Sequence, residues 1–295
     1  MAIKVRKLSY GLGASITGVD LRSPLDDATM ADVRKAWLDH LVVVFPDQVL
    51  TPEQQIAFGK RFGPLDDHQA APFYRHPEYP EIYLITNHKI GGRPSETKDT
   101  GRMWHSDHSF TTRPTMATML YCREIPSVGG DTMLTNMYMA YESLSDAMKT
   151  VLDRLEAVHD VANYHANNPY FRDRDTGQLT EMKKLSPPVA QPVVRVHPET
   201  GRKALFVNEG TTTQFVGMTS EESRALLEFL FEHSVRPEFT YRHAWKVNDL
   251  LMWDNRCTMH KALADYTHDQ PRHMHRLTVL GTPCGRSYEG DTPPR

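Results

Sequence analysis

Histidine is the residue type in which this sequence is unusual: there are fifteen in 295 residues, about twice an ordinary share. His105 and Asp107, in Trp104-His-Ser-Asp107, form the only His-x-Asp pair in the chain. In extended backbone, residues i and i+2 point to the same side, so one short segment can present an imidazole and a carboxylate to a single cation. A second histidine, His260, closes the downstream segment Trp253-Asp-Asn-Arg-Cys-Thr-Met-His260. Two histidines and one carboxylate make the facial triad of non-haem Fe(II) oxygenases, which leaves three coordination positions open for a co-substrate and O2. His76-Pro-Glu78 and His197-Pro-Glu199 have similar spacing, but their central prolines read as turn chemistry.

A 2-oxo acid chelating such a metal fills two open positions and needs a cation for its distant carboxylate. Arg272 lies twelve residues beyond His260, and Arg276 four further on. On a strand this even separation puts both guanidiniums on one face, where each can form bidentate bonds to an anion. The competing reading is a pair of exposed strand arginines matched to surface carboxylates.

Together with Gly129-Gly-Asp-Thr132, His197-Pro, Phe206-Val-Asn-Glu-Gly210, Pro271-Arg272 and His275-Arg276, these segments resemble the taurine dioxygenase family, which includes phenoxyacetate dioxygenases. The resemblance runs from about residue 8 to about residue 283. It implies an Fe(II)- and 2-oxoglutarate-dependent dioxygenase on a jelly-roll core, using O2 and releasing succinate and CO2. It also implies that His105, Asp107 and His260 bind iron, and that Thr132 and Arg272 hold the far carboxylate of 2-oxoglutarate. Arg276 resembles the arginine that grips the sulfonate in taurine dioxygenase, and His68, in Phe62-Gly-Pro-Leu-Asp-Asp-His68, resembles its partner histidine. Thr211 and His165 fall where the taurine enzyme presents aromatic rings, Gly101 where it has asparagine, and His108 where it has a small apolar residue. The pocket is therefore expected to be more polar, and taurine is not expected to be the best substrate. The substrate expected is a small anion, sulfonate-like. Phenoxyalkanoate or alkyl-sulfate oxygenation is the enzymatic alternative, and a barrel that binds a small anion without turnover uses the same arginines.

The remaining eye-catching residues have plainer readings. Trp104 and Trp253 read as core beside the ligand segments, Asp254, Asn255 and Arg256 as supports for the loop carrying His260, and Cys257 as a buried thiol. A second metal site at His268, His273 and His275 is not expected.

Lysine plus arginine (34) nearly balances aspartate plus glutamate (37), giving a net charge of −3. This gives no general attraction to nucleic acid or anionic membrane. The amino terminus lacks a signal-peptide apolar region and no run of eighteen apolar residues occurs, so a cytoplasmic protein is expected. Three cysteines without paired spacing fit neither a disulfide framework nor a zinc ribbon. Apolar positions on two later helices suggest a homo-oligomer.

The elements that must position these residues are read from periodicity. Helices are expected at 27–41, 52–62, 137–156 and from Ser220 to 233. Strands are expected at 41–45, 82–86, 116–122, 132–137, 192–197, 203–208, 238–245, 249–253 and 274–281. No internal repeat, βαβ rhythm or GxGxxG interrupts the pattern. The class is α+β, mainly β: a double-stranded β-helix (jelly roll) with flanking helices, one domain over 1–295. Polar stretches at 87–101 and 163–190 are expected to be active-site lids.

Overall fold

The computed structural model describes residues 3–69, 71–167, 183–267 and 269–290. Its largest sheet has seven strands, in the order Lys4–Lys7, Ala14–Thr17, Val42–Phe45, Leu250–Asp254, Ala117–Glu124, His273–Val279 and Tyr83–Thr86. All neighbours pair antiparallel except Ala14–Thr17 with Val42–Phe45, which are parallel. The run Val42-Val-Val-Phe45 is buried throughout, because both faces of this sheet are covered. Val43 and Phe45 join an outer core with Met30, Val33 and Trp37 of helix Asp27–His40 and with Ile56 and Phe58 of helix Pro52–Lys60. Val42 and Val44 join an inner core that reaches Leu134 and Met259 of a second, three-stranded sheet.

That second sheet is ordered Thr240–His243, Thr132–Asn136, Thr258–Ala262, all antiparallel. A four-stranded sheet, Thr212–Phe215, Glu156–His159, Val189–Pro192 and Arg286–Ser287, and the hairpin Val194–Val196 with Lys203–Leu205 extend the same layer arrangement. The result is a jelly roll of packed sheets rather than one continuous closed barrel, with the helices outside it.

Local chemistry sets the helix ends. Thr51 and Gln54 form a capping box with Pro52 in the first turn, a position where its missing N–H costs nothing. The cap of helix Ser220–Ser234 is Thr219, not Ser220: its hydroxyl accepts from Glu222 N, and the Glu222 carboxylate accepts from Thr219 N. The box requires a spacing of three, which Thr219 has and Ser220 lacks.

Other differences from expectation have equally local causes. The segment 137–156 is two short helices, Met137–Glu142 and Asp146–Leu152, because Ser143 ends the first and Ser145 caps the second. Strand Glu156–His159 follows. The stretch 87–101 carries a small hairpin, Lys89–Ile90 with Arg93–Pro94, and a 3-10 turn at Glu96–Asp99. Of the stretch 163–190, the described parts include the end of helix Val161–Asn167 and the start of strand Val189–Pro192; 168–182 lies outside the described residues, as does His268.

Candidate active site

His105 and His260 are brought together by backbone. They form an isolated antiparallel bridge, His105 N to His260 O at 3.1 Å and the reverse bond at 2.8 Å, and their rings lie 4.2 Å apart. Asp107 follows two residues after His105 on the same side. Ligand atoms of His105, Asp107 and His260 all fall within 4.8 Å of one another. His105 Nδ1 lies 2.8 Å from the Met103 carbonyl, so it carries the proton and Nε2 keeps its lone pair toward the cluster. His260 Nε2 is 3.9 Å from Asp107 Oδ2.

The electrostatics suit a cation. Burial lowers both histidine pKa values, with His260 pushed down to about 3 by burial and the adjacent His105, so both rings are neutral. Burial opposes the charge on Asp107, but the Arg276 guanidinium, with the Thr118 hydroxyl, outweighs it and holds the carboxyl well below its usual range. Arg276 Nη2 stands 3.0 Å from Asp107 Oδ1, and Thr118 donates to Oδ2 at 2.6 Å.

Asn255 secures the ligand segment: its Oδ1 accepts from Asp107 N at 3.1 Å and from Trp253 Nε1 at 3.1 Å, and its Nδ2 donates to Thr118 at 2.9 Å. The Trp253 ring lies 4.5 Å from that of His260, so this tryptophan is both core and ring support. Thr118 and Asn255 act through the fold, and nothing in their local sequence marks Thr118.

Arg272 is buried, and its Nε bonds the Gly130 carbonyl at 3.2 Å. Among the described residues no carboxylate pairs with it, and burial lowers its pKa. Asn87 pins its backbone, donating from N to Arg272 O and accepting from Arg272 N. Gly129 and Gly130 adopt φ of +84° and +73°, and a Cβ on Gly129 would stand 2.3 Å from Asp265 O, so only glycine allows this turn. Thr132 Oγ1 accepts from Trp245 Nε1 at 3.1 Å, which leaves its own proton to donate. A buried guanidinium without an acid partner is suited to an anion supplied from outside the chain.

The other sequence-selected residues divide into two groups. Arg276 lies opposite Tyr83, on which the His68 ring packs at 5.2 Å, and it contacts Asp107, the residue before His108, whose Nδ1 lies 3.1 Å from the Thr115 hydroxyl. Thr211 is buried in a network with Ser109, Asn208 and His159. His165 sits beside Tyr164, ring to ring at 5.5 Å. It is Tyr164, missed by sequence reasoning, whose hydroxyl accepts from Gly101 N at 2.7 Å and whose ring lies 6.0 Å from His105. Gly101 has φ +72°, and a Cβ there would stand 3.5 Å from the His105 ring.

A second buried cluster, His197, Asp254 and Cys257, is already saturated. His197 Nδ1 accepts from Glu199 N and Thr200 N, as the turn reading expects, while Nε2 donates to Asp254 at 3.0 Å. Both Asp254 oxygens also receive Arg256. Cys257 is buried with its thiol pKa raised by that burial, and all three cysteines are free. His273 and His275 face each other at 5.1 Å and join no metal-suited cluster among the described residues. Among those residues, no helix is long and apolar enough to cross a membrane.

Comparison with known proteins accords with this geometry. Residues 4–278 match the family described as taurine catabolism dioxygenase TauD, TfdA family. The chain is 34% identical to the alpha-ketoglutarate-dependent 2,4-dichlorophenoxyacetate dioxygenase of Burkholderia sp. (strain RASC), covering 94% of each. It is also 34% identical to an alkylsulfatase of Acinetobacter baylyi, covering 95% of this chain and 85% of that one. The solved structure of AAD-2 in complex with Mn(II) and N-oxalylglycine superposes with a TM-score of 0.81 at 33% identity, covering 96% of this chain and 99% of that one. The chain belongs to the TauD, TfdA family and is a jelly-roll, Fe(II)- and 2-oxoglutarate-dependent dioxygenase.

Proposed function

We propose that this dioxygenase hydroxylates a small anionic, sulfonate-like substrate, with His105, Asp107 and His260 holding iron and Thr132 and Arg272 holding the far carboxylate of 2-oxoglutarate. The observation that carries the reading is the meeting of the three ligand side chains within 4.8 Å. Arg272, buried without an acid partner, supports the co-substrate assignment. The donor set fits Fe(II): two neutral imidazoles and one carboxylate that stays ionised. Bound iron, 2-oxoglutarate and O2 together supply the oxidant that hydroxylates a C–H bond and yield succinate and CO2.

The chain's own residues do the rest. The Met103 carbonyl fixes the His105 tautomer, Asn255 and Thr118 orient Asp107, and Arg276 places a positive charge beside the metal site where an anionic substrate can be held. The long stretches at 87–101 and 163–190 are assigned to excluding water while substrate is oxidised. Phenoxyalkanoate or alkyl-sulfate turnover is the second reading, favoured by the same positive charge of Arg276 beside the metal site.

The test is anaerobic titration of the metal-free protein with Fe(II) and 2-oxoglutarate, followed by taurine, other sulfonates, alkyl sulfates and phenoxyacids. A visible metal-to-ligand charge-transfer band that one compound then shifts is the expected result. Bound iron without any band would overturn the co-substrate assignment.

A further inference from the structure

The Gly129-Gly130 turn is gripped from the surface by one arginine and two acids. Arg242, on strand Thr240–His243 opposite Met133, donates from Nε to Asp131 Oδ2 and from Nη2 to Asp265 Oδ2, each at 2.7 Å. Asp265 Oδ1 in turn accepts from Gly130 N at 2.8 Å. Asp131, the next residue, is held a second time through its carbonyl, which accepts from Leu263 N at 2.9 Å. Gly130 completes the chain of contacts, because its own carbonyl accepts from Arg272 Nε at 3.2 Å.

This clamp is half-exposed, with the Arg242 side chain 52% and the Asp265 side chain 37% accessible. An exposed ion pair of that kind adds little to stability. What it fixes is buried: Asp131 on one side and Arg272 at the far end. Two consecutive glycines at positive φ have many other conformations open to them, so the turn depends on outside bonds to stay in one. Asp265 supplies them twice. Its carboxylate takes the Gly130 N–H, and its backbone carbonyl occupies the side of Gly129 where a Cβ would stand 2.3 Å away. A carboxylate bond to a backbone N–H is among the stronger hydrogen bonds. Without it, Gly130 is free to turn its carbonyl away from Arg272, and the buried guanidinium loses the acceptor that sets its direction.

We propose that Asp265, anchored by Arg242, is a positioning residue for 2-oxoglutarate: it holds Gly130 so that the Gly130 carbonyl aims the Arg272 guanidinium. Neither residue is assigned a contact with the co-substrate, and both act through the turn. This inference rests on the assignment of Arg272 to the far carboxylate of 2-oxoglutarate.

The experiment measures the dissociation constant of 2-oxoglutarate by anaerobic titration of the Fe(II)-loaded protein, read from the charge-transfer band, so that no substrate is needed. Asp265→Ala should raise the constant about tenfold, the weight of one charge-assisted bond. Asp265→Asn, whose amide oxygen still accepts from Gly130 N, should stay within about threefold of wild type. Arg242→Met, which leaves the Gly130 bond but frees its anchor, should fall between them. Each variant should reach the wild-type band at saturating 2-oxoglutarate and unfold in denaturant close to the wild-type midpoint. In an Arg272→Ala background there is no guanidinium to aim, so adding Asp265→Ala should change the constant by less than about twofold. A tenfold loss that persists in that background, Asp265→Asn as weak as Asp265→Ala, or Asp265→Ala indistinguishable from wild type would each overturn the positioning role. An iron-loaded wild type that gives no band with 2-oxoglutarate would instead overturn the co-substrate assignment, and this proposal with it.

Discussion

Asp107 is the most heavily partnered side chain of the site, with Arg276 at one oxygen and Thr118 at the other. Its position between two neutral histidines makes it the sole formal negative charge among the three proposed metal ligands. Asp107→Ala is therefore expected to abolish hydroxylation and to lose iron on desalting, measured by metal analysis beside succinate release. Turnover at full iron occupancy would contradict its role as a ligand. Arg272 is expected to behave differently. Arg272→Ala should raise the KM for 2-oxoglutarate by about 10- to 100-fold, since a desolvated charge-assisted pair is lost, with little change in KM for the anionic substrate. Titrating 2-oxoglutarate at saturating substrate separates the two.

At the scale of elements, two loops carry the site. The Gly129-Gly130 turn lets backbone approach Arg272 so closely that a Cβ on Gly130 would stand 3.3 Å from Arg272 Nε. Gly130→Ala should therefore raise KM for 2-oxoglutarate through displacement of that guanidinium, visible as a weaker charge-transfer band at a given 2-oxoglutarate concentration. The loop before His260 depends on the buried group His197, Asp254 and Arg256, which Glu199 and Arg34 extend to the surface. Arg256→Met leaves Asp254 without its main partner and should cost about 3–5 kcal/mol. Burial raises the Asp254 pKa, but Arg256 and His197 outweigh it and bring it down to about 2. Because the folded value lies below the unfolded one, this group stabilises the protein above its unfolded pKa of about 3.9 and loses that effect as pH falls toward about 2. Acid denaturation of Arg256→Met, followed by circular dichroism, should therefore begin at higher pH than in the wild type.

The whole molecule separates stability from chemistry by means of its large sheet. One face meets the outer helices, where Phe58 packs edge-on against Phe45 at 5.3 Å and Phe62 at 5.4 Å. The other face meets the inner core that includes Trp104 and Trp253. Phe58→Ala should cost about 3–5 kcal/mol in denaturant unfolding, while the charge-transfer band of the folded protein stays unchanged. A lost band at full folding would show that the two faces are coupled.

Much of this was legible in one dimension. The meeting of His105, Asp107 and His260 could be anticipated because His105 and Asp107 obey the two-residue period of extended chain, and the helices at 27–41 and 52–62 because their apolar stripes and caps are local. Only Arg276 lies on strand His273–Val279, while Arg272 stands just before it, and they meet different surroundings: Arg272 a glycine carbonyl, Arg276 the Asp107 carboxylate. Strand Glu156–His159 and the helix break at Ser143 escaped reading because apolar spacing near a helix end does not distinguish continuation from a turn. Tyr164, Thr118 and the Thr115 contact to His108 lie in sequence stretches with no motif, and each acts on a partner brought close by another loop. Residue types and short spacings determined what chemistry the chain could hold. Only tertiary structure decided which charges are paired and what holds the Asp107 segment in place, because those depend on neighbours more than a hundred residues away, such as Arg276 and Asn255 on Asp107.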